Sequence, residues 1–127
     1  MIPPRTILVV EDEFASLEVL ALLLEGEGYR VLTASDGAEA LARLGVEGVD
    51  LVITDYMMPT MTGDELCRRM SAEPRLRHVP VIMTTSMFRE DVPPAPQVVA
   101  FFIKPLRFNN LLAAVRELLG PGAPRRG

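Results

Sequence analysis

Short, uninterrupted apolar runs alternate along this chain with longer stretches in which apolar residues recur every three or four positions. Thr6 to Val10 (TILVV) is a β-branched run with no polar alternation, the pattern of a strand covered on both faces. From Phe14 to Glu25, Leu17, Leu20, Ala21 and Leu24 fall at helical spacing, and Gly26 and Gly28 follow as stop signals. Arg30 to Ala34 (RVLTA) predicts a second strand, after which Ser35-Asp36-Gly37 turns the chain into a helix over Ala38 to Leu44. Asp50 to Thr54 (DLVIT) predicts a third strand, and Asp64 to Met70 a helix with Leu66, Cys67 and Met70 inward. The fourth strand is expected over Val79 to Thr84 (VPVIMT) and the fifth over Ala100 to Ile103 (AFFI). Asn109 to Leu119 closes the pattern as an amphipathic helix, and Gly120 to Gly127 is a Pro/Gly/Arg stretch without periodicity.

Strands alternating with helices imply right-handed crossovers and an α/β fold, a parallel sheet with helices on both faces. The 127 residues suit a single domain, expected over residues 1–119 with 120–127 as a flexible tail, and contain no internal repeat. A hydrophobic content of 49% with 24% charged residues is that of a packed globular chain rather than a disordered one. The formal charge of −4 argues against a general grip on nucleic acid, which needs clustered Lys and Arg facing phosphates. The single cysteine, Cys67, excludes an intramolecular disulfide and a thiolate metal cluster, as expected of a protein in a reducing cytoplasm. No signal-like segment and no apolar run of membrane-spanning length is present, so no membrane partner is expected.

In open parallel sheets the ligand site lies at the carboxyl ends of the strands, beside the point where strand order reverses. Glu11 and Asp12 follow the first strand, Asp55 the third, Thr85 and Ser86 the fourth, and Lys104 and Pro105 the fifth. Acids brought this close repel one another unless a cation offsets them, and a hard divalent ion such as Mg2+ is commonly held by one or two carboxylates with phosphate oxygens and water. Asp12 and Asp55 can supply those carboxylates, Lys104 can pair with Asp55 or an incoming phosphoryl oxygen, and Thr85 can donate a hydrogen bond. The set suits phosphoryl transfer to a carboxylate. Taken singly, each residue has a plainer reading: strand-end acids cap turns and helices, Lys-Pro is a loop dipeptide, and Thr85 and Ser86 can simply end a strand. Met57, Met58, Met61 and Met83 read as loop and core packing, because thioethers are soft ligands. His78 is the only histidine and sits at the wrong end of its strand for a histidine-based site.

The segments VVEDE, DLVITDYMMPTMTG, VPVIMTTS and FFIKP follow one another in this order. With them the chain resembles the receiver domains of two-component response regulators, over residues 5 to 119. The resemblance implies a flavodoxin-like (βα)5 fold, a five-stranded doubly wound sheet in the order 2-1-3-4-5. It also implies that Asp55 is the phosphoacceptor, fed from a phosphohistidine on a sensor histidine kinase or a histidine phosphotransfer protein. By the same resemblance Asp12 and Asp55 ligate Mg2+ directly, Glu11 acts mainly through water, and the main-chain carbonyl of Met57 completes the protein ligands. Lys104 binds the phosphoryl group, and its bond to Pro105 is cis, a state accessible mainly before proline. Thr85 is the switch hydroxyl and Phe101 the coupled aromatic that turns inward. Phosphorylation adds up to about two negative charges, enough to draw Thr85 and Lys104 into new contacts and make a minor conformation the major one. Ser86 is small and leaves an acyl phosphate open to water.

Two departures from the family pattern stand out. The acidic pair is Glu-Asp, where Asp-Asp is also common. Only eighteen residues, 86 to 103, separate Thr85 from Lys104, and they include Pro93, Pro94 and Pro96. Proline costs roughly 3 kcal/mol in a helix interior, which predicts a fourth helix that is short, displaced or missing. In the family, the surface of the fourth helix, fifth strand and fifth helix commonly dimerises or docks partners, so a homodimer or an unidentified downstream protein belongs on this face. With only a short tail after Leu119, the expected protein is a stand-alone response regulator acting by docking, its only turnover self-dephosphorylation. The rivals are a receptor-like interaction module independent of phosphorylation and a magnesium-dependent phosphatase with an aspartyl nucleophile. The latter class commonly places a second acid two residues after its nucleophile, where this chain has Met57.

Overall fold

In the computed structural model, which describes residues 3–95 and 97–123, strands and helices alternate as the apolar pattern predicts. The order is β1 (Thr6–Val10), α1 (Phe14–Gly26), β2 (Arg30–Ala34), α2 (Gly37–Val46), β3 (Leu51–Asp55), α3 (Gly63–Ser71), β4 (Val81–Thr85), β5 (Val98–Ile103) and α4 (Phe108–Leu119). The strands form one parallel sheet in the order β2-β1-β3-β4-β5. Every residue of the three central strands is buried, the consequence of covering both faces. Successive side chains point to opposite faces, so β1 and β3 divide between two cores. Leu8, Val10 and Val52 pack with Leu44 of α2 and Leu66 and Met70 of α3. Ile7, Val9, Leu51 and Ile53 pack with Leu17 and Leu24 of α1 and Leu111 and Val115 of α4.

Local chemistry sets the element ends. Asp36 caps α2 by accepting the Glu39 N–H at 2.8 Å, while the Glu39 carboxylate accepts from the Ser35 hydroxyl at 3.0 Å. Near the start of α3, Asp64 accepts from the Thr62 hydroxyl and from Arg68 at 2.6 Å. Burial pushes the Asp64 carboxyl up, but these two bonds outweigh it and hold its pKa below the ordinary value. The Cys67 thiol, buried and without a charge-stabilising partner of that kind, is pushed up to about 12 by burial, so it stays an inert core group.

Several boundaries differ from the sequence expectation for identifiable reasons. The fourth strand begins at Val81 rather than Val79, because Pro80 has no amide and the Val79 N–H instead closes a turn to the Leu76 carbonyl at 3.0 Å. The third strand runs one residue further, through Asp55, and omits Asp50, whose carboxylate accepts the Thr6 N–H at 2.8 Å. The fifth strand starts at Val98, two residues early, and a bulge sets Val81 opposite Val98 but Ile82 opposite Ala100.

Among the described residues, the β4–β5 connection contains a single 3-10 turn, Arg89–Asp91, and no α-helix, so four helices accompany the five strands. Pro93 and Pro94 follow this turn, while Pro96 lies outside the described residues. The connection is nonetheless anchored. Buried Gln97 donates to the Leu76 and Val79 carbonyls, both at 2.9 Å, and accepts from the Ser71 hydroxyl at 2.6 Å. After α4, the Tyr29 hydroxyl donates to the Gly120 carbonyl at 2.6 Å and the Ala123 N–H to the Gly28 carbonyl at 2.9 Å. Gly120 and Ala123 of the expected flexible tail thus bond to the α1–β2 turn; residues 124–127 lie outside the described residues. Among the described residues no helix is long and apolar enough to cross a membrane.

Candidate functional site

The parallel topology carries the ends of β1, β3, β4 and β5 to one edge of the sheet. Glu11 continues the β1–β2 ladder by one bond, its N–H to the Ala34 carbonyl at 3.1 Å, which turns its side chain into the molecule. Asp12 follows at the surface. Asp55 is the last residue of β3, opposite Thr84 of β4. Lys104, just beyond β5, is fixed by its N–H to the Thr85 carbonyl at 2.7 Å.

The side chains then converge. The Lys104 ammonium donates to Asp55 Oδ2 at 2.9 Å and to Glu11 Oε1 at 3.1 Å. One carboxylate oxygen from each of Glu11, Asp12 and Asp55 lies within 4.8 Å of the others. Glu11 and Asp55 are only 7% and 8% exposed, so two carboxylates share one cation away from bulk water. Burial first, and the hydrogen bond to Asp55 second, push the Glu11 carboxyl up to about 7. For Lys104, burial works against the charge, but the bonds to Asp55 and Glu11 prevail and hold its pKa above the ordinary value. Three acids against one ammonium leave the cluster short of positive charge, and its donors are hard oxygens at a spacing one small divalent cation can span.

The other residues singled out in the sequence fall around this cluster. The Lys104–Pro105 peptide is cis. Met57 donates its N–H to Asp55 Oδ1 at 3.4 Å and leaves its side chain exposed, whereas Met58, Met61 and Met83 are buried packing residues. Thr85 is fully buried, and its hydroxyl oxygen accepts the Met87 N–H at 3.1 Å. Ser86 beside it is exposed, and so is His78, which precedes β4 and so sits at the opposite end of that strand from Thr85. Phe101 is not part of the acidic cluster; it lies half-buried on β5, packed against the α2–α3 core.

Sequence reasoning passed over Gly63, which opens α3 where the β3–α3 loop folds back on the strand end. A Cβ there would stand 2.7 Å from the Asp55 carbonyl oxygen and 2.6 Å from the Met83 sulfur. The glycine after TMT was its visible signal. Arg89, whose guanidinium carbon lies 5.5 Å from the Phe101 ring centroid, was also passed over, and no local pattern marks such a contact.

The comparisons with known proteins agree with this geometry. The family model described as response regulator receiver domain matches residues 7–116. The sensory transduction protein RegX3 of Mycolicibacterium smegmatis is 36% identical over 121 residues, 93% of this chain and 52% of that protein. The phosphate regulon transcriptional regulatory protein PhoB of Rhizobium meliloti is 37% identical over 121 residues, 93% of this chain and 53% of that protein. The chain therefore spans about half the length of these curated relatives. Among solved structures, the response regulator TrrA of Thermotoga maritima, in complex with Mg2+ and beryllofluoride, superposes with a TM-score of 0.81 at 32% identity. That match covers 91% of this chain and 99% of that one. A response regulator receiver protein from Pseudomonas putida gives a TM-score of 0.82 at 27% identity, covering 92% and 99%. From strand order to sequence match the result is one: this chain belongs to the response regulator receiver domains of two-component systems.

Proposed function

We propose that Asp55 accepts a phosphoryl group from a phosphohistidine of a sensor histidine kinase or histidine phosphotransfer protein, and that this switches the docking of a downstream protein. The observation that carries the reading is the Lys104 ammonium bridging buried Asp55 and Glu11, with the Asp12 carboxylate alongside. In the transfer, an Asp55 carboxylate oxygen attacks phosphorus as the P–N bond to the donor imidazole breaks, and the imidazole leaves with the bonding pair. Glu11, Asp12, Asp55 and the Met57 carbonyl would hold Mg2+, which when bound neutralises charge on the phosphoryl oxygens. Lys104 exchanges its bond to Asp55 for one to a phosphoryl oxygen. The Thr85 hydroxyl gives up the Met87 amide and donates to another, and Phe101 moves with it. Exposed Ser86 leaves water free to hydrolyse the acyl phosphate, the one turnover this reading contains. A cytoplasmic location, a receiver spanning residues 1–119 and a possible homodimer complete the proposal.

Beryllofluoride, a mimic of the phosphoryl group on a carboxylate, tests the site without a kinase. Thermal unfolding with Mg2+ alone, beryllofluoride alone and both together should show a large rise in midpoint only for the pair. A ligand at about 100 times its Kd adds about 2.7 kcal/mol. The rise should vanish in Asp55→Asn and in Asp12→Ala. No rise in the unaltered protein, or the same rise in Asp55→Asn, would contradict the assignment.

A further inference from the structure

The segment joining β4 to β5 touches the switch residues at two points, Met87 and Arg89, only two residues apart. At one, Met87 donates its N–H to the Thr85 hydroxyl oxygen at 3.1 Å. At the other, the exposed Arg89 guanidinium caps the half-buried Phe101 ring, 5.5 Å from its centroid. Arg89 opens the 3-10 turn, whose backbone is closed by Asp91 N–H to the Phe88 carbonyl at 3.0 Å and Val92 N–H to the Arg89 carbonyl at 3.1 Å. Buried Val92 anchors the turn below. Among the described residues Arg89 makes no ion pair with an acid, although Glu90 and Asp91 adjoin it; the ring is its contact.

We propose that Arg89 is a positioning residue for the switch, tying the Phe101 ring to the loop that carries the partner of the Thr85 hydroxyl. The trigger rests on the phosphorylation of Asp55 proposed above; the contact itself does not. As Thr85 swings toward a phosphoryl oxygen, its hydroxyl oxygen draws away from the Met87 amide, which frees the start of the loop. Residues 87–89 then shift, and Arg89 releases the ring. Among the described residues no α-helix intervenes here, so the link from Thr85 to Phe101 runs through one short turn instead of several helical ones. Coupling is reciprocal. If switching loosens the cap, removing the cap must favour the switched conformation even without phosphate.

The test uses the full chain labelled with 3-fluorophenylalanine, the Phe101 resonance being assigned by its loss in Phe101→Leu. Fluorine spectra are compared for the unaltered protein, Arg89→Ala and Arg89→Lys, with and without Mg2+ and beryllofluoride. The rate of phosphorylation by a small acyl phosphate is followed by intact mass. Arg89→Ala should move the ligand-free Phe101 resonance toward its beryllofluoride position and raise the phosphorylation rate about two- to fivefold, the range an exposed cation–π contact supports. Arg89→Lys keeps a cation over the ring and should stay near the unaltered protein in both. An unchanged ligand-free Phe101 resonance in Arg89→Ala, or an Arg89→Lys that behaves like Arg89→Ala, would overturn the proposal. Should the unaltered protein gain no phosphoryl mass and ignore beryllofluoride, the function proposed for Asp55 falls. The ligand-free Phe101 resonance then still decides the Arg89 contact, standing if Arg89→Ala displaces it and falling if it does not.

Discussion

Glu11 is the residue whose environment most exceeds what its place in the sequence suggests. An acid after a strand reads as a water-linked ligand or a turn cap, yet it is buried and shares the Lys104 ammonium with Asp55. Its carboxyl, raised from 4.5 to about 7, binds a proton more tightly in the folded protein than in the unfolded chain. That excess proton binding favours folding at low pH, and the advantage is lost as pH climbs from about 4.5 through 7. Metal-free protein should therefore lose stability over that interval, and Glu11→Gln should flatten the decline, as denaturant melts at several pH values would show. An unchanged slope in Glu11→Gln would remove Glu11 as its source. Mg2+ favours the ionised carboxylates, so it should stabilise the protein more at pH 8 than at pH 6. Asp12, Asp55 and Lys104 were legible as a set because parallel topology forces strand ends together. The pair of hydrogen bonds from Lys104 was not, since it depends on side-chain reach rather than on spacing in the chain.

Among the elements, the turn from β3 into α3 packs tightly against Asp55. Thr60 adopts φ 65°, a left-handed conformation that a β-branched residue enters at a cost of about 1–2 kcal/mol. Three residues later Gly63 donates its N–H to the Tyr56 carbonyl at 2.8 Å, with no room for a Cβ against the Asp55 backbone. Gly63→Ala should thus destabilise the fold by about 1–3 kcal/mol and weaken beryllofluoride binding as well, because the obstructing atom is the backbone of the acceptor itself. Thermal melts with and without Mg2+ and beryllofluoride separate the two effects; a loss of stability with binding intact would mean that the loop relaxes away from Asp55. Most helices and strands were readable from apolar spacing, and their errors lie at ends governed by single polar groups, such as Asp50 and Pro80. The prolines after Thr85 announced the lost helix, since a missing amide breaks any helical ladder. They could not announce the 3-10 turn, which its own backbone bonds close, or the Gln97 anchor, which is set by contacts with α3 and the α3–β4 loop.

Taken as a whole, the molecule is a sheet whose topology does the positioning. The order β2-β1-β3-β4-β5 brings Glu11, Asp12, Asp55 and Lys104 from distant parts of the chain to one edge, where backbone bonds along the sheet hold Glu11, Asp55 and Lys104. The parallel sheet followed from the alternation of strands and helices, because right-handed crossovers leave few alternatives, whereas the strand order was what the family resemblance implied. The bonds of Gly120 and Ala123 to the α1–β2 turn did not follow, since backbone groups in a stretch without periodicity leave no pattern to read. The central claim is that this edge delivers a phosphoryl group to Asp55. Its most direct test is the intact mass of the protein after incubation with Mg2+ and a small acyl-phosphate donor, beside Asp55→Ala and a metal-free control. One added phosphoryl group on the unaltered protein, absent without Mg2+ and absent in Asp55→Ala, is the result expected; the same added mass on Asp55→Ala would contradict it.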